Sequence, residues 1–181
     1  MRALERFALV VDWINERVGR AAAWLTLAMV LITFTVVILR YVFSTGFVWL
    51  QEAYVWLHGV VFMLGAGYTL LHDGHVRVDI FYREASLRRK AMVDLLGSLL
   101  LLLPFVLMVV WVSWPYALVS WQRLEGSREA GGLPGLFLLK SVIVAFCILL
   151  GLQALAMAAR AILALGGHAW TRGPENGVGE V

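Results

Sequence analysis

Arg40 closes one long apolar run of this chain and Glu52 opens the next. At the edge of a membrane, weak solvation strengthens the attraction between such charges. The sequence leads us to expect a polar contact, formed or jointly extended by the two, that orients the first two helices. The competing reading is that each side chain snorkels to water alone, with Glu52 favoured by the dipole of its helix's first turn. His58 lies about two turns into the second run, and an ionisable group at membrane depth is a functional candidate by default. No second His lies within a run, so opposed axial haem ligands are lacking, and a neutral, hydrogen-bonded packing role is the reading we favour. Cys147 is the single cysteine, which excludes a disulfide framework or a Cys-rich metal site within one chain. It reads as a small apolar packing residue. Gln153 is expected to hydrogen-bond between helices. Gly59, Gly65, Ala66 and Gly67 give the second run a small-residue surface suited to close helix approach in lipid. The sequence holds no catalytic Ser-His-Asp order, phosphate-binding loop or intramembrane pair of acids. No enzyme activity, catalytic residue, cofactor or metal is expected.

The elements that carry these residues follow from hydropathy. Of the 181 residues 61% are hydrophobic and 15% charged, which is too apolar for a water-soluble domain. Four stretches, 21–39, 53–71, 95–122 and 141–159, lack formal charge apart from a protonatable His58. A hydrocarbon core of about 30 Å takes about 20 helical residues, and each stretch reaches that length. The expected fold is an all-α membrane protein with four transmembrane helices, over about 20–41, 50–71, 93–119 and 138–163, plus amphipathic interfacial helices. Residues 1–166 read as a single membrane domain and 167–181 as a disordered tail. The first run is too long and too far from the start for a signal peptide, so it is expected to be retained.

Placing residues 1–20, the second loop and the tail in the cytoplasm puts eleven of the fifteen basic residues there. The positive-inside rule then favours both termini cytoplasmic. Trp49, Tyr54, Trp111, Trp114 and Trp121 fall near the outer interface and Trp13, Trp24 and Trp170 near the inner one. In residues 1–20, Leu4, Phe7, Val11, Ile14 and Val18 recur at helical spacing, while Glu5, Arg6, Asp12, Glu16 and Arg17 fall largely elsewhere. That pattern suits an amphipathic helix in the cytoplasmic interface; a helical extension of the first span remains the alternative. The second loop, 72–94, is expected to turn and lead into a basic helix capped by Ser86. Pro104 predicts a kink in the long third span, and Pro115 an outer extension or break. The third loop, with Gly126, Gly131, Gly132, Pro134 and Gly135, reads as irregular. It carries Arg123, Glu125, Arg128 and Glu129, a mixed-charge face suited to steered contact with a soluble partner.

Several motifs resemble the small membrane subunit, DctQ-like, of tripartite ATP-independent periplasmic (TRAP) transporters. They are Leu39-Arg40-Tyr41-Val42-Phe43, Trp49-Leu50-Gln51-Glu52, and Gly65-Ala66-Gly67-Tyr68-Thr69-Leu70 followed by Gly74-His75-Val76-Arg77-Val78-Asp79. Glu125-Gly126-Ser127, Gly131-Gly132-Leu133-Pro134 and Lys140 are similar to the branch with a longer external loop. The resemblance covers roughly residues 10–165. It implies a scaffold subunit of a sodium-gradient-driven, ATP-independent importer of organic acids in the bacterial inner membrane. Its implied partners are a large polytopic membrane subunit, a periplasmic substrate-binding protein and membrane lipid; nucleic acid is not among them. The candidate partner-contact and structural residues are Arg40, Trp49, Glu52, Gly65, Gly67, His75, Arg77, Asp79, Arg123, Glu125 and Arg128. Two other classes stay open: a haem or electron-transfer four-helix subunit, and a free-standing membrane enzyme or channel.

Overall fold

The computed structural model describes residues 2–76, 82 and 84–167. Helix α1 spans Arg2–Tyr41, α2 Val48–Leu71, α3 Leu87–Leu96, α4 Leu103–Gln122 and α5 Leu136–Leu165, with a π-helical turn over Gly97–Leu102 between α3 and α4. No strand occurs among the described residues. Four helical segments are long and apolar enough to cross a membrane: α1, α2, the continuous Leu87–Gln122 segment and α5. Large apolar side chains such as Trp24, Phe34, Phe62, Leu101 and Trp111 point outward, a pattern that water would not tolerate and lipid does. The chain is a multi-pass α-helical membrane protein.

Helix α1 runs unbroken for 40 residues, about 60 Å at about 1.5 Å per residue and twice the hydrocarbon thickness. Residues 2–20 are thus continuous with the first span. Their buried stripe is Ala8, Val11, Asp12, Asn15 and Gly19, with Ala22 beyond. This differs from the face expected from apolar spacing: Phe7 is exposed and Asp12 buried. The reason is packing against α5, where small side chains allow close approach and polar ones find interhelical partners. Ala8 and Val11 meet Ala156, with Leu152 packed against them.

Helix α5 is the hub. Half of its most apolar stretch is buried, against about a tenth or less in the other three spans, and its buried face is rich in alanine. Val106 of α4 packs with Cys147 and Leu150 of α5. In the third span, Pro104 has no N–H to donate and obstructs a regular α-turn. The helix answers with a π turn, in which the Leu103 N–H reaches back to the Ser98 carbonyl, and then continues. It also passes through Pro115 to Gln122, the extension rather than the break expected there. Ser86 stands at the N-cap of α3 in extended backbone, but its hydroxyl makes no capping bond.

Candidate functional site

Two polar clusters fasten opposite ends of the bundle. The first is built around Glu52, near the start of α2. Its Oε1 accepts from the Ser127 hydroxyl and its Oε2 from the Leu133 N–H at 2.7 Å. Ser127 and Leu133 belong to the loop between α4 and α5, which bonds to itself between the Ser127 N–H and the Leu133 carbonyl at 2.9 Å. Gly132 is required here. A Cβ on it would sit 2.5 Å from Ser127 Oγ and 2.6 Å from Glu52 Oε2, closer than van der Waals contact permits.

The same loop is anchored again by Glu125. Helix α4 ends in a Schellman motif: Leu124 N–H bonds to Trp121 carbonyl at 3.2 Å and Glu125 N–H to Ser120 carbonyl at 3.0 Å, with Leu124 left-handed at φ 44°. This motif satisfies two terminal carbonyls and turns Glu125 back toward α5. Glu125 Oε2 then accepts from Ser120 Oγ at 2.8 Å and from Lys140 Nζ at 2.5 Å. Lys140 is buried, and its ammonium also lies 3.9 Å over the Tyr116 ring, a favourable cation–π position. The bonds from Lys140 and then Ser120 hold the Glu125 carboxyl below its ordinary value of 4.5.

The second cluster lies at the N-terminal end of α1 and was not legible as a site from the sequence. Asn15 Nδ2 donates to Gln153 Oε1 at 2.8 Å. Gln153 Nε2 donates to Asp12 Oδ1 at 3.2 Å, and Arg160 Nη2 donates to Asp12 Oδ2. All four side chains are buried or nearly so. Asn15 Oδ1 and Arg160 Nη1 are buried without a hydrogen-bond partner among the described residues. Gly67 of α2 packs on this amide: a Cβ there would lie 2.1 Å from Asn15 Oδ1. One turn further along α1, Glu16 bonds His72 and Arg20, each at 2.7 Å. Tyr68, packed against Gly19, lies against the His72 ring at a tilt, with centroids 4.3 Å apart. The available signals were the 12, 15, 19 spacing on α1 and the seven-residue spacing of Gln153 and Arg160 on α5, both of which place residues on one helix face.

The sequence-derived candidates therefore separate. Arg40 and Glu52 form no ion pair; Arg40 is exposed with no side-chain partner among the described residues. Glu52 instead finds neutral donors in the third loop, which offers a fixed N–H and hydroxyl where Arg40 would need a flexible reach. Trp49 is exposed, its ring 6.2 Å from that of Phe47. Gly67 is a close-packing point, whereas Gly65 has open space around it. Arg123 and Arg128 are exposed on the loop that Glu125 anchors, and His75 is exposed beyond α2. Arg77 and Asp79 lie outside the described residues. His58 is exposed and makes no hydrogen bond among the described residues, so the expected hydrogen-bonded packing role has no counterpart within this chain. It lines an open groove of about 380 Å³ between α1 and α2 with Met29, Val30, Thr33, Tyr54 and Val55.

Among the described residues, no three His, Cys, Asp or Glu side chains gather closely enough to hold a metal ion. The carboxylates of both clusters are engaged by donors of the chain itself, so these groups fasten helices and loop to one another.

A family model described as tripartite ATP-independent periplasmic transporters, DctQ component, matches residues 29–164. The C4-dicarboxylate TRAP transporter small permease protein DctQ of Vibrio cholerae serotype O1 is 29% identical over 89 residues, covering 49% of this chain and 38% of that relative. The match thus spans well under half of the relative's length. No solved structure matches.

Proposed function

The chain belongs to the DctQ component family of tripartite ATP-independent periplasmic transporters, and from that premise we propose that it is the scaffold subunit of a sodium-gradient-driven importer of organic acids. The observation that carries this reading is the family match over residues 29–164. In this reading the chain is the small membrane subunit and works with a large membrane subunit and a periplasmic binding protein. The relative's name specifies C4-dicarboxylates, and small dicarboxylates are the first substrates to test. In this reading residues 1–166 form one unit in the bacterial inner membrane, with the tail in the cytoplasm. Both termini face the cytoplasm. The exposed Phe7, Val10 and Trp13 of α1 sit among cytoplasmic headgroups, where apolar and aromatic side chains are favoured. Arg17 lies 5.1 Å over the Trp13 ring, keeping its charge at headgroup level. The third loop faces the periplasm and offers Arg123, Arg128 and Glu129 to the binding protein.

A static scaffold must hold its shape while a neighbour moves. Glu52, Glu125 and Lys140 tie the third loop to α2, α4 and α5, and Asp12, Asn15, Gln153 and Arg160 tie α1 to α5. Both ties support the scaffold reading. The deciding experiment is reconstitution in liposomes under a sodium gradient. Dicarboxylate uptake is expected only with this chain, the large subunit and the binding protein together. Uptake by this chain alone would overturn the subunit reading.

A further inference from the structure

We propose that the groove between α1 and α2 around His58 seats a membrane helix of the large subunit, and that this helix brings a hydrogen-bonding group to His58. The inference rests on the subunit reading and adds the place of contact. His58 is the eleventh of the 24 residues of α2, so it stands near mid-span. Tyr54 precedes it by one turn on the same helix face, and Thr33 of α1 lines the same groove. Neither His58 nor Tyr54 has a hydrogen bond among the described residues. The Thr33 hydroxyl donates to the Met29 carbonyl at 2.8 Å, which leaves its acceptor capacity free. Three hydrogen-bonding side chains thus line one open groove, Tyr54 toward the outer interface and His58 one turn deeper along the span.

Chemistry selects the occupant. A lipid acyl chain offers no donor or acceptor, and a polar group left bare to hydrocarbon is strongly disfavoured. Ionisable residues in spans face a bundle interior or a wet cavity. His58 faces neither within this chain, so the interior it belongs to is completed by another helix. The remaining lining, Met29, Val30 and Val55, is apolar and suits the flank of a packed helix. Gln153 and one nitrogen of Arg160 are bonded within the chain, whereas His58 makes no bond among the described residues, so this groove calls for a polar partner.

The test uses the full complex in native membranes. A photoreactive residue replaces Val55, whose side chain is 55% exposed in the groove. The expected adduct carries the large subunit; an adduct formed only with lipid or with a second copy of this chain overturns the proposal. In parallel, His58→Leu should lower the large subunit retained on purification about three- to fifteen-fold, the range of single interhelical hydrogen bonds in membranes. His58→Gln, which keeps a donor and an acceptor, should stay within about two-fold of the unsubstituted chain. Equal losses in both variants, at equal amounts of the chain in the membrane, would show that shape rather than hydrogen bonding governs the site and overturn the polar part of the proposal. The unsubstituted chain separates the two levels of failure. If it purifies without a large subunit, the subunit reading itself falls and takes this assignment with it.

Discussion

Removing Asp12 should destabilise the folded chain far more than an exposed acidic residue on the same helix would. Asp12 Oδ2 is the carboxylate partner of Arg160, and the two side chains are 11% and 10% exposed. Its other oxygen takes the Gln153 amide. Asp12→Ala strands a nearly buried guanidinium, and breaking such a pair from one side costs about 3–5 kcal/mol. Arg160→Met, which strands the carboxylate instead, should fall in the same range. Replacing both with apolar residues, Asp12→Leu with Arg160→Met, removes both charges and leaves only the Gln153 amide short of an acceptor, a penalty of about 1–3 kcal/mol that new apolar packing offsets. The double variant should therefore lie within about 2 kcal/mol of the unsubstituted chain. The internal control is Arg20→Ala. Arg20 pairs with Glu16 but its side chain is 71% exposed, so the loss should be at most about 1 kcal/mol.

Cys147 supplies the assay. It is the single cysteine and is 1% exposed, so a thiol dye added in pulses along an SDS titration in mixed micelles reports the unfolded fraction. The singles should shift the labelling midpoint strongly and the double variant weakly, giving a coupling of at least about 4 kcal/mol. Losses that add, with the double variant as unstable as the sum of the singles, would refute the claim that these charges act as one buried pair.

Three further expectations follow from the geometry. Gly67→Ala should cost about 1–3 kcal/mol by overpacking against Asn15 and Leu149, whereas Gly65→Ala, with nothing within 4 Å, should change stability by less than about 0.5 kcal/mol; the same dye titration compares them. Because the Glu125 carboxyl titrates below 4.5, its hold on the third loop is complete above that pH and is lost as pH falls through the lowered value. Proteolytic cutting after Arg128 should stay slow from pH 7 to about pH 5 and accelerate only below 4.5, and a rise centred near neutral pH would disprove this role. Reversing Arg123 and Arg128 to Glu should raise the binding-protein concentration needed for half-maximal uptake, more at low than at physiological salt, while assembly with the large subunit stays intact; an unchanged concentration dependence would leave the loop as a connector.

Hydropathy made the four spans legible because twenty apolar residues in a row have few other uses. The orientation of α1 about its own axis was not legible from the same signal. In water the large apolar side chains mark the buried face, and that rule pointed to Leu4, Phe7, Val11, Ile14 and Val18, of which Val11 is buried and Phe7 exposed. In lipid the outward face is equally apolar, so the buried face is marked by small and polar residues. Ala8, Asp12, Asn15 and Gly19 carried that mark and look like a mixed-charge surface when read by the aqueous rule. Glu52 was singled out as a charge that needs a partner, yet the partner lay about eighty residues away in a loop whose shape depends on Gly132. Proximity in sequence favoured Arg40. A carboxylate accepts equally well from a hydroxyl and a fixed backbone N–H, so opposite charge was no reliable guide.

The two polar clusters sit near the two ends of α5 and differ in what they can yield to. At the N-terminal end of α1 the bonds run between helices, among side chains with little solvent contact, so breaking one leaves an unsatisfied group and the whole contact resists opening. At the loop end, Glu52 and Glu125 hold a turn whose outer surface carries exposed arginines, and these carboxylates keep some access to water. That end can adjust when a soluble partner arrives and departs without disturbing the spans. Under the scaffold reading proposed above, the asymmetry would supply a rigid frame across the membrane and a compliant face toward a transient partner, and the proposed helix at the His58 groove would complete the bundle.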